Sequence, residues 1–220
     1  TLALAETGAT VTAVELDRRL LAVLRSVVEP AGVTVVEGDA MTLDWPALLA
    51  GPAGSWVLVA NLPYNVATPL VAGLLDEVPA IARMVVMVQR EVGERLAAQP
   101  GDPAYGAVSV KVAYWADASV VARVPPTVFL PRPKVESAVV SIVRRPAPAV
   151  DPAVVPPERL FAVVRAAFAQ RRKMLRRSLA PVADASVFAE AGIRPESRPE
   201  ELGVAEWGRL AAAVEAHRAG

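Results

Sequence analysis

Short Val-rich runs alternate with stretches of helical periodicity over the first two-thirds of the chain. Runs at residues 10–14, 33–37, 56–60, 84–88, 107–115 and 137–143 predict strands. Between the first two, Arg18–Val28 brings back Leu20, Leu21, Val23, Leu24, Val27 and Val28 at a spacing near 3.6, which predicts a helix. Continuously apolar strands are buried on both faces, so the pattern predicts an open α/β sheet of parallel strands covered by helices. The last two runs are joined through Pro125, Pro126, Pro131 and Pro133 with no helix between them, which suits an antiparallel hairpin at one sheet edge. From 145 to 157 the chain reads RPAPAVDPAVVPP, an extended linker and a domain boundary. Residues 158–179 then read as one helix, with two shorter ones over Ala185–Ala191 and 204–218. The expected organisation is an α/β domain over 1–146 and an all-helical domain over 147–220. At roughly 70 residues the second is too small to be robust without packing on its neighbour.

The chain opens TLALAETGAT, a helix and a turn leading into the first strand. Domains of this class ordinarily open on a strand, so the pattern implies that a strand and its helix-entry loop belong before residue 1. A fold that begins with a helix is the alternative. Composition then trims the chemistry. Without cysteine there is no thiolate nucleophile and no Cys-ligated metal site, and the single histidine, His217, supports neither a catalytic triad nor a His-based metal centre. No apolar run approaches the ~18 residues of a membrane span, and no secretory leader is present, so a cytoplasmic protein is expected. Trp45, Trp56 and Trp207 occupy apolar positions and read as core, as do Met84 and Met87 on their strand.

Each of the first three strands ends on a hydrogen-bonding side chain: Glu15, Asp39 and Asn61. Ligands of open α/β sheets bind outside the carboxyl ends of the strands. An acidic residue in the position of Glu15 suits a pair of ribose hydroxyls, and Asp39 suits an exocyclic amine. Helix N-capping is the competing role for Asp17 and Asp39. The third strand runs into Asn61-Leu62-Pro63-Tyr64. An aromatic amine is a poor nucleophile because its lone pair is delocalised into the ring. Hydrogen-bond acceptors that hold the NH₂ group draw the nitrogen toward tetrahedral geometry. An Asn side-chain oxygen plus a backbone carbonyl in a Pro-stiffened turn offers two such acceptors, and the adjacent tyrosine can stack on an extruded base.

Four stretches together resemble the KsgA-type small-subunit ribosomal RNA adenine N6,N6-dimethyltransferases, over essentially the whole chain. They are NLPYN at 61–65, MVQREVGERL at 87–96, VPPTVFLPRPKVESAVV at 124–140 and AFAQRRKMLRRSL at 167–179. The resemblance implies a Rossmann-like methyltransferase sheet with its first strand missing, and a small C-terminal helical domain. It implies S-adenosyl-L-methionine as cofactor. Glu15 would hold its ribose, Asp39 its adenine amine, Ala40 would sit beside that ring, and Asn61 would line the methionine end. Asn61, Leu62, Pro63, Tyr64 and Phe129 would form the catalytic site, with Tyr64 and Phe129 sandwiching the flipped adenine; no metal is implied. The family's glycine-rich loop after strand one is absent, which implies poor cofactor binding by a chain lacking it.

Zero net charge conceals a strong partition. Residues 1–117 carry 7 basic and 13 acidic groups, residues 118–177 carry 12 and 3, and residues 178–220 carry 4 and 7. Arg165, Arg171, Arg172, Lys173, Arg176 and Arg177 put six positive charges and no acid within 13 residues. Helical spacing would place Arg165, Arg172 and Arg176 near one face. A solvated surface is the ordinary meaning of a charge run. Beside a base-modifying domain, however, this one predicts RNA phosphate binding, with Arg132 and Lys134 contributing. The expected partner is small-subunit (16S) rRNA in a pre-ribosomal 30S particle, bound by a monomer. Competing readings are a large-subunit (23S) rRNA methyltransferase of the macrolide-resistance type, a non-catalytic RNA-binding relative, and a nicotinamide dehydrogenase, which would need an acid/base pair that the sequence lacks.

Overall fold

The computed structural model describes every residue except Ala50, Tyr64 and Gly220, and the backbone only of Ala219. The chain divides into two compact units, Thr1–Ala50 and Gly51–Gly220.

In the first unit, α1 (Leu2–Ala5) leads to β1 (Thr12–Glu15), α2 (Arg18–Val28), β2 (Thr34–Glu37) and α3 (Trp45–Leu48). The strands are parallel and in register from Thr12↔Thr34 to Glu15↔Glu37, so both carboxyl ends fall at the same level. Helix α2 lies where the 3.6-residue period predicts it. It buries Leu21 and Val28 with Val33 and Val35 of the strand side, and Asp17 caps it by accepting from the Arg19 backbone N–H at 2.9 Å. Asp17 therefore takes the capping role. Gly32, at φ 79°, reverses the chain between α2 and β2 in a conformation that disfavours a Cβ.

The second unit carries β3 (Trp56–Asn61), α4 (Ala67–Glu77), β4 (Ile81–Gln89), α5 (Arg90–Ala97), α6 (Ala107–Trp115), β5 (Ala116–Val124) and β6 (Ser137–Arg144). Four helices follow: α7 (Pro157–Phe168), α8 (Leu175–Ser178), α9 (Ala185–Ala191) and α10 (Val204–Ala219). The strands form one sheet in the order β3-β4-β6-β5. β3 and β4 run parallel, and β6 is antiparallel to both β4 and β5. The expected hairpin is present, but its first arm is not the expected segment. Residues 107–115 form helix α6 rather than a strand, and the strand is the next segment, β5.

Two features explain that exchange. The alternating valines Val108, Val110 and Val112 mimic a strand, yet the segment is buried on several faces at once: Ser109, Val110, Val112 and Tyr114 are all inaccessible. A helix buried all round shows no amphipathic period. Its start is fixed by Ser109, whose Oγ accepts from the Gly106 N–H at 3.0 Å and donates to the Arg95 carbonyl at 2.6 Å. β5 is an edge strand with mostly exposed positions, and Asp117, Ser119 and Arg123 interrupt its Ala and Val residues, so it shows no continuous apolar run.

Residues 158–179 are likewise not one helix. Helix α7 ends at Phe168, a turn covers 169–174, and α8 restarts at Leu175. Buried Leu175 is held there by its N–H donating to the Ser197 carbonyl at 2.8 Å. Trp207 is fully buried, as expected, among Val110, Tyr114, Phe161 and Val187 of one core. Trp45 and Trp56 are only half-buried, as is Met87, whereas Met84 is core.

The helices after residue 157 do not close a core of their own. They share it with Ala98, Tyr105, Val110 and Tyr114 of the α5–α6 region. Polar contacts follow the same seam. The Tyr105 hydroxyl donates to the Leu202 carbonyl at 2.8 Å, and burial raises its pKa. Asp76 on α4 accepts from the Trp115 indole at 2.8 Å and from Lys111 Nζ, whose ammonium also lies 4.9 Å from the Phe161 ring centre. Arg144, at the end of β6, donates to the carbonyls of Leu74, Leu75, Val78 and Ile81, tying the end of α4 and the start of β4 to the sheet.

Candidate active site

In the first unit the two expected acidic residues stand at neighbouring strand ends. Glu15 closes β1 and spends one oxygen locally, Oε1 accepting from the Asp17 N–H at 2.8 Å. Asp39 follows β2 and does the same, Oδ1 accepting from the Met41 N–H at 2.9 Å. Parallel register brings the strand ends together, and the Gly38 N–H donates to the Glu15 carbonyl at 3.0 Å. Each carboxylate is thereby oriented by its own loop while its second oxygen meets no hydrogen-bond donor among the described residues. Two oriented carboxylates with free oxygens suit ligand hydroxyls and an exocyclic amine. Ala40 is pinned beside them because the Trp45 indole donates to its carbonyl at 2.9 Å. This explains a tryptophan that is half-buried rather than core.

The second unit forms the other set. Asn61 is the last residue of β3, and the Leu62 N–H continues the pairing by donating to the Met87 carbonyl at 3.0 Å. Pro63 then turns the chain into α4. Its carbonyl already accepts from the Val66 and Ala67 N–H groups, both at 3.1 Å. Of the acceptors in this turn, the Asn61 side chain and the Leu62 carbonyl have no donor among the described residues. Tyr64, expected to stack on a base, lies outside the described residues.

Asn61, Leu62 and Pro63 line a cleft of about 340 Å³ whose opposite wall is Phe129, Leu130, Pro131, Pro133 and Ser137. The structure thus brings together Asn61 and Phe129, 68 positions apart in the sequence. The wall is the Pro-rich loop between β5 and β6. A single turn over Pro126–Val128 starts it, the Leu130–Pro131 peptide is cis, and Arg90 holds its far end. The Arg90 N–H donates to the Glu136 carbonyl at 2.9 Å and its guanidinium pairs with the Glu136 carboxylate at 2.7 Å. Sequence reasoning did not single out Arg90, Glu136 or Leu130. The adjacent prolines were the only signal that this loop has a fixed shape.

The basic cluster is redistributed by the break between α7 and α8. Arg165 is on α7, Arg171, Arg172 and Lys173 are in the turn, and Arg176 and Arg177 are on α8, so no single helical face unites them. Arg171 is engaged internally, donating to Glu200 at 2.8 Å and to the Pro103 carbonyl at 2.7 Å. Arg176 lies 3.9 Å from Glu196 on the surface. Arg165, Arg172, Lys173 and Arg177 are exposed, as are Arg132 and Lys134 of the Pro-rich loop, and none of these six has an acidic partner among the described residues. No helix among the described residues is long and apolar enough to cross a membrane.

Comparison with known proteins identifies the family. The family model described as ribosomal RNA adenine dimethylase matches residues 1–215. The chain is 49% identical over 214 residues to the ribosomal RNA small subunit methyltransferase A of Acidothermus cellulolyticus, covering 91% of this chain and 70% of that one. The protein of the same name from Magnetococcus marinus is 48% identical over 219 residues, covering 96% of this chain and 76% of the relative. In fold, the chain is similar to a dimethyladenosine transferase from Plasmodium falciparum, with a TM-score of 0.75 at 21% identity over 91% of this chain and 80% of that one. It is also similar to the 23S rRNA methyltransferase ErmE, with a TM-score of 0.69 at 24% identity over 94% and 82%. With a family model matched over nearly its whole length and relatives near half identity, the chain belongs to the ribosomal RNA adenine dimethylase family.

Proposed function

We propose that this chain catalyses S-adenosylmethionine-dependent N6,N6-dimethylation of two adjacent adenosines near the 3′ end of small-subunit (16S) rRNA, acting as a monomer on a pre-ribosomal 30S particle in the cytoplasm. The observation that carries the chemistry is the pair of free acceptors, Asn61 and the Leu62 carbonyl, facing Phe129 across one cleft. The family and the small-subunit methyltransferase relatives favour this target over the large subunit.

Glu15 and Asp39 fit the nucleoside of the methyl donor: two carboxylates with one free oxygen each match its two ribose hydroxyls and its adenine amine. Ala40 would lie beside that ring and Asn61 at the methionine end. When bound, the donor supplies a methyl group activated by its sulfonium. Asn61 Oδ1 and the Leu62 carbonyl accept from the target NH₂ group, turning its lone pair out of conjugation and toward the methyl. Phe129 and Tyr64 hold the extruded base between them, which converts encounter into alignment. As the new C–N bond forms and the S–C bond breaks, the nitrogen's proton becomes acidic and leaves to water, so no histidine or lysine base is needed. The monomethyl product keeps one N–H, which one acceptor of the pair can hold while the lone pair is presented for the second transfer.

Residues 1–146 carry the catalytic site and part of the RNA surface, and residues 147–220 carry the rest of that surface. Arg132, Lys134, Arg165, Arg172, Lys173 and Arg177 contact phosphates, with Arg176 and Arg171 at the edge of that surface. Incubation with small-subunit particles from cells lacking the modification, with labelled methyl donor, tests the whole reading. Dimethyladenosine mapped to adjacent positions of 16S rRNA supports it. Label confined to large-subunit rRNA, or its absence with cofactor bound, overturns it.

A further inference from the structure

The loop that walls the cleft ends in an apolar side chain with nothing to pack on. Leu130 is 100% exposed, and Val128 beside it is 63% exposed. Burying a leucine is favourable, so a loop shaped by packing alone would turn this side chain inward. Instead, both feet of the loop are fixed, by the Pro126–Val128 turn and by the Arg90–Glu136 pair at 2.7 Å, with Leu130 at the mouth of the cleft next to Phe129. The exposed cations Arg132 and Lys134 follow it within four residues and have no acidic partner among the described residues. An apolar wedge flanked by cations fits one class of partner: stacked bases between phosphates.

We propose that Leu130 is a positioning residue that enters the RNA base stack at the place vacated by the target adenine. There it blocks the adenine's return while Phe129 holds it in the cleft. Extrusion leaves a gap between neighbouring bases whose collapse favours the unflipped state. A leucine in the gap restores contact on both faces and gains the burial it lacks in the free protein. The inference rests on the proposed function, because only a base-modifying reading gives the wedge a gap to fill.

The test uses a stem-loop of the 16S 3′ end with 2-aminopurine at the target position, whose fluorescence rises on unstacking, together with methylation of the unmodified stem-loop. Leu130→Ala should lower the fluorescence gain at saturating protein and slow methylation by roughly tenfold or more, the equivalent of the lost leucine burial. Leu130→Met should return both to within about threefold of wild type, as an isosteric apolar wedge would. The loss should be several-fold smaller on a short single-stranded RNA, whose adenine needs no extraction. Equal fluorescence gain and rate for Leu130→Ala and wild type overturn the wedge and leave the methyltransferase reading intact. Equal loss on structured and single-stranded RNA also overturns it, assigning Leu130 a purely structural role. A wild-type protein that binds methyl donor and unmodified small-subunit particles yet never methylates them overturns the functional reading instead.

Discussion

Replacing Asn61 with alanine isolates one half of the acceptor pair. Among the described residues of the strand end, the Asn61 side chain and the Leu62 carbonyl are the pair that faces the cleft, because the Pro63 carbonyl is already committed to the Val66 and Ala67 N–H groups at 3.1 Å. Asn61→Ala leaves the Leu62 carbonyl as the one acceptor of that pair. Both N–H bonds gain polarity as the nitrogen acquires positive charge, so the lost bond acts mainly on the transition state. Removing one preorganised group of this kind costs about 2.7–4 kcal/mol, or roughly 10²–10³ in kcat. Neither Glu15 nor Asp39 is touched, so affinity for S-adenosylmethionine should stay within several-fold. Tritiated methyl transfer to unmodified small-subunit particles measures kcat, and calorimetric titration of the methyl donor measures affinity. A variant that retains kcat within fivefold would refute the acceptor role. One that loses donor binding in proportion to rate would move Asn61 into a purely cofactor-binding role.

Other substitutions probe the surroundings. Arg144→Met takes its donor from the Leu75 and Ile81 carbonyls and one of two donors from those of Leu74 and Val78, which keep the Val78 and Ile81 N–H groups, and should cost about 3 kcal/mol, a fall of roughly 6–12 °C in Tm by calorimetry. Changing Arg172 and Lys173 together to Gln should weaken RNA binding and make the slope of log K against log salt shallower, by about 0.9 for each phosphate left without its cation. By contrast, Arg171→Gln should lower Tm, because it frees Glu200 and the Pro103 carbonyl. Asp184 caps α9, and the Ser186 hydroxyl and the Val187 amide hold its carboxyl below the usual carboxylate value. A depressed folded-state pKa contributes stability above the unfolded value of about 3.9, and that contribution is lost as pH falls through the folded one. Protection of the amides at the start of α9, taken relative to their intrinsic exchange rates, should therefore fall below about pH 4 in the native protein and show no such step in Asp184→Asn.

Legibility of the sequence followed burial geometry. Helix α2 and strands β2 and β3 were readable within two residues because each has one clear period or one continuous apolar run. Helix α6 was not, since its surroundings are apolar on several sides and a period-2 run of valines outweighed the absent amphipathic stripe. The break after Phe168 was hidden for a different reason. Gln170 to Arg177 are good helix formers, and the contacts made within the break and at its far side are distant ones, Arg171 donating to Glu200 and the Pro103 carbonyl and the Ser197 carbonyl claiming the Leu175 N–H. Asn61 stood out through the Pro that follows it. Its partner wall could be named at Phe129 only through resemblance, because no local period connects residues 61 and 129. Which cations are free also depended on tertiary pairing, as Arg171 shows.

The core that Tyr105 and Tyr114 share with Phe161 and Trp207 sets a length scale. A helical module on a flexible tether could bring any adenosine within reach of the cleft. Here helices α7 to α10 are fused through α6 to the sheet that carries Asn61, so the span from the exposed Arg172 and Lys173 to the acceptor pair is a fixed ruler. On the proposed RNA-binding role of those cations, an RNA whose phosphates seat on them would present to the cleft the nucleotide lying one ruler-length away. Target choice can therefore be made by distance along a folded RNA, with little reading of base identity, and a change in the length of the 98–115 segment should move the methylated position.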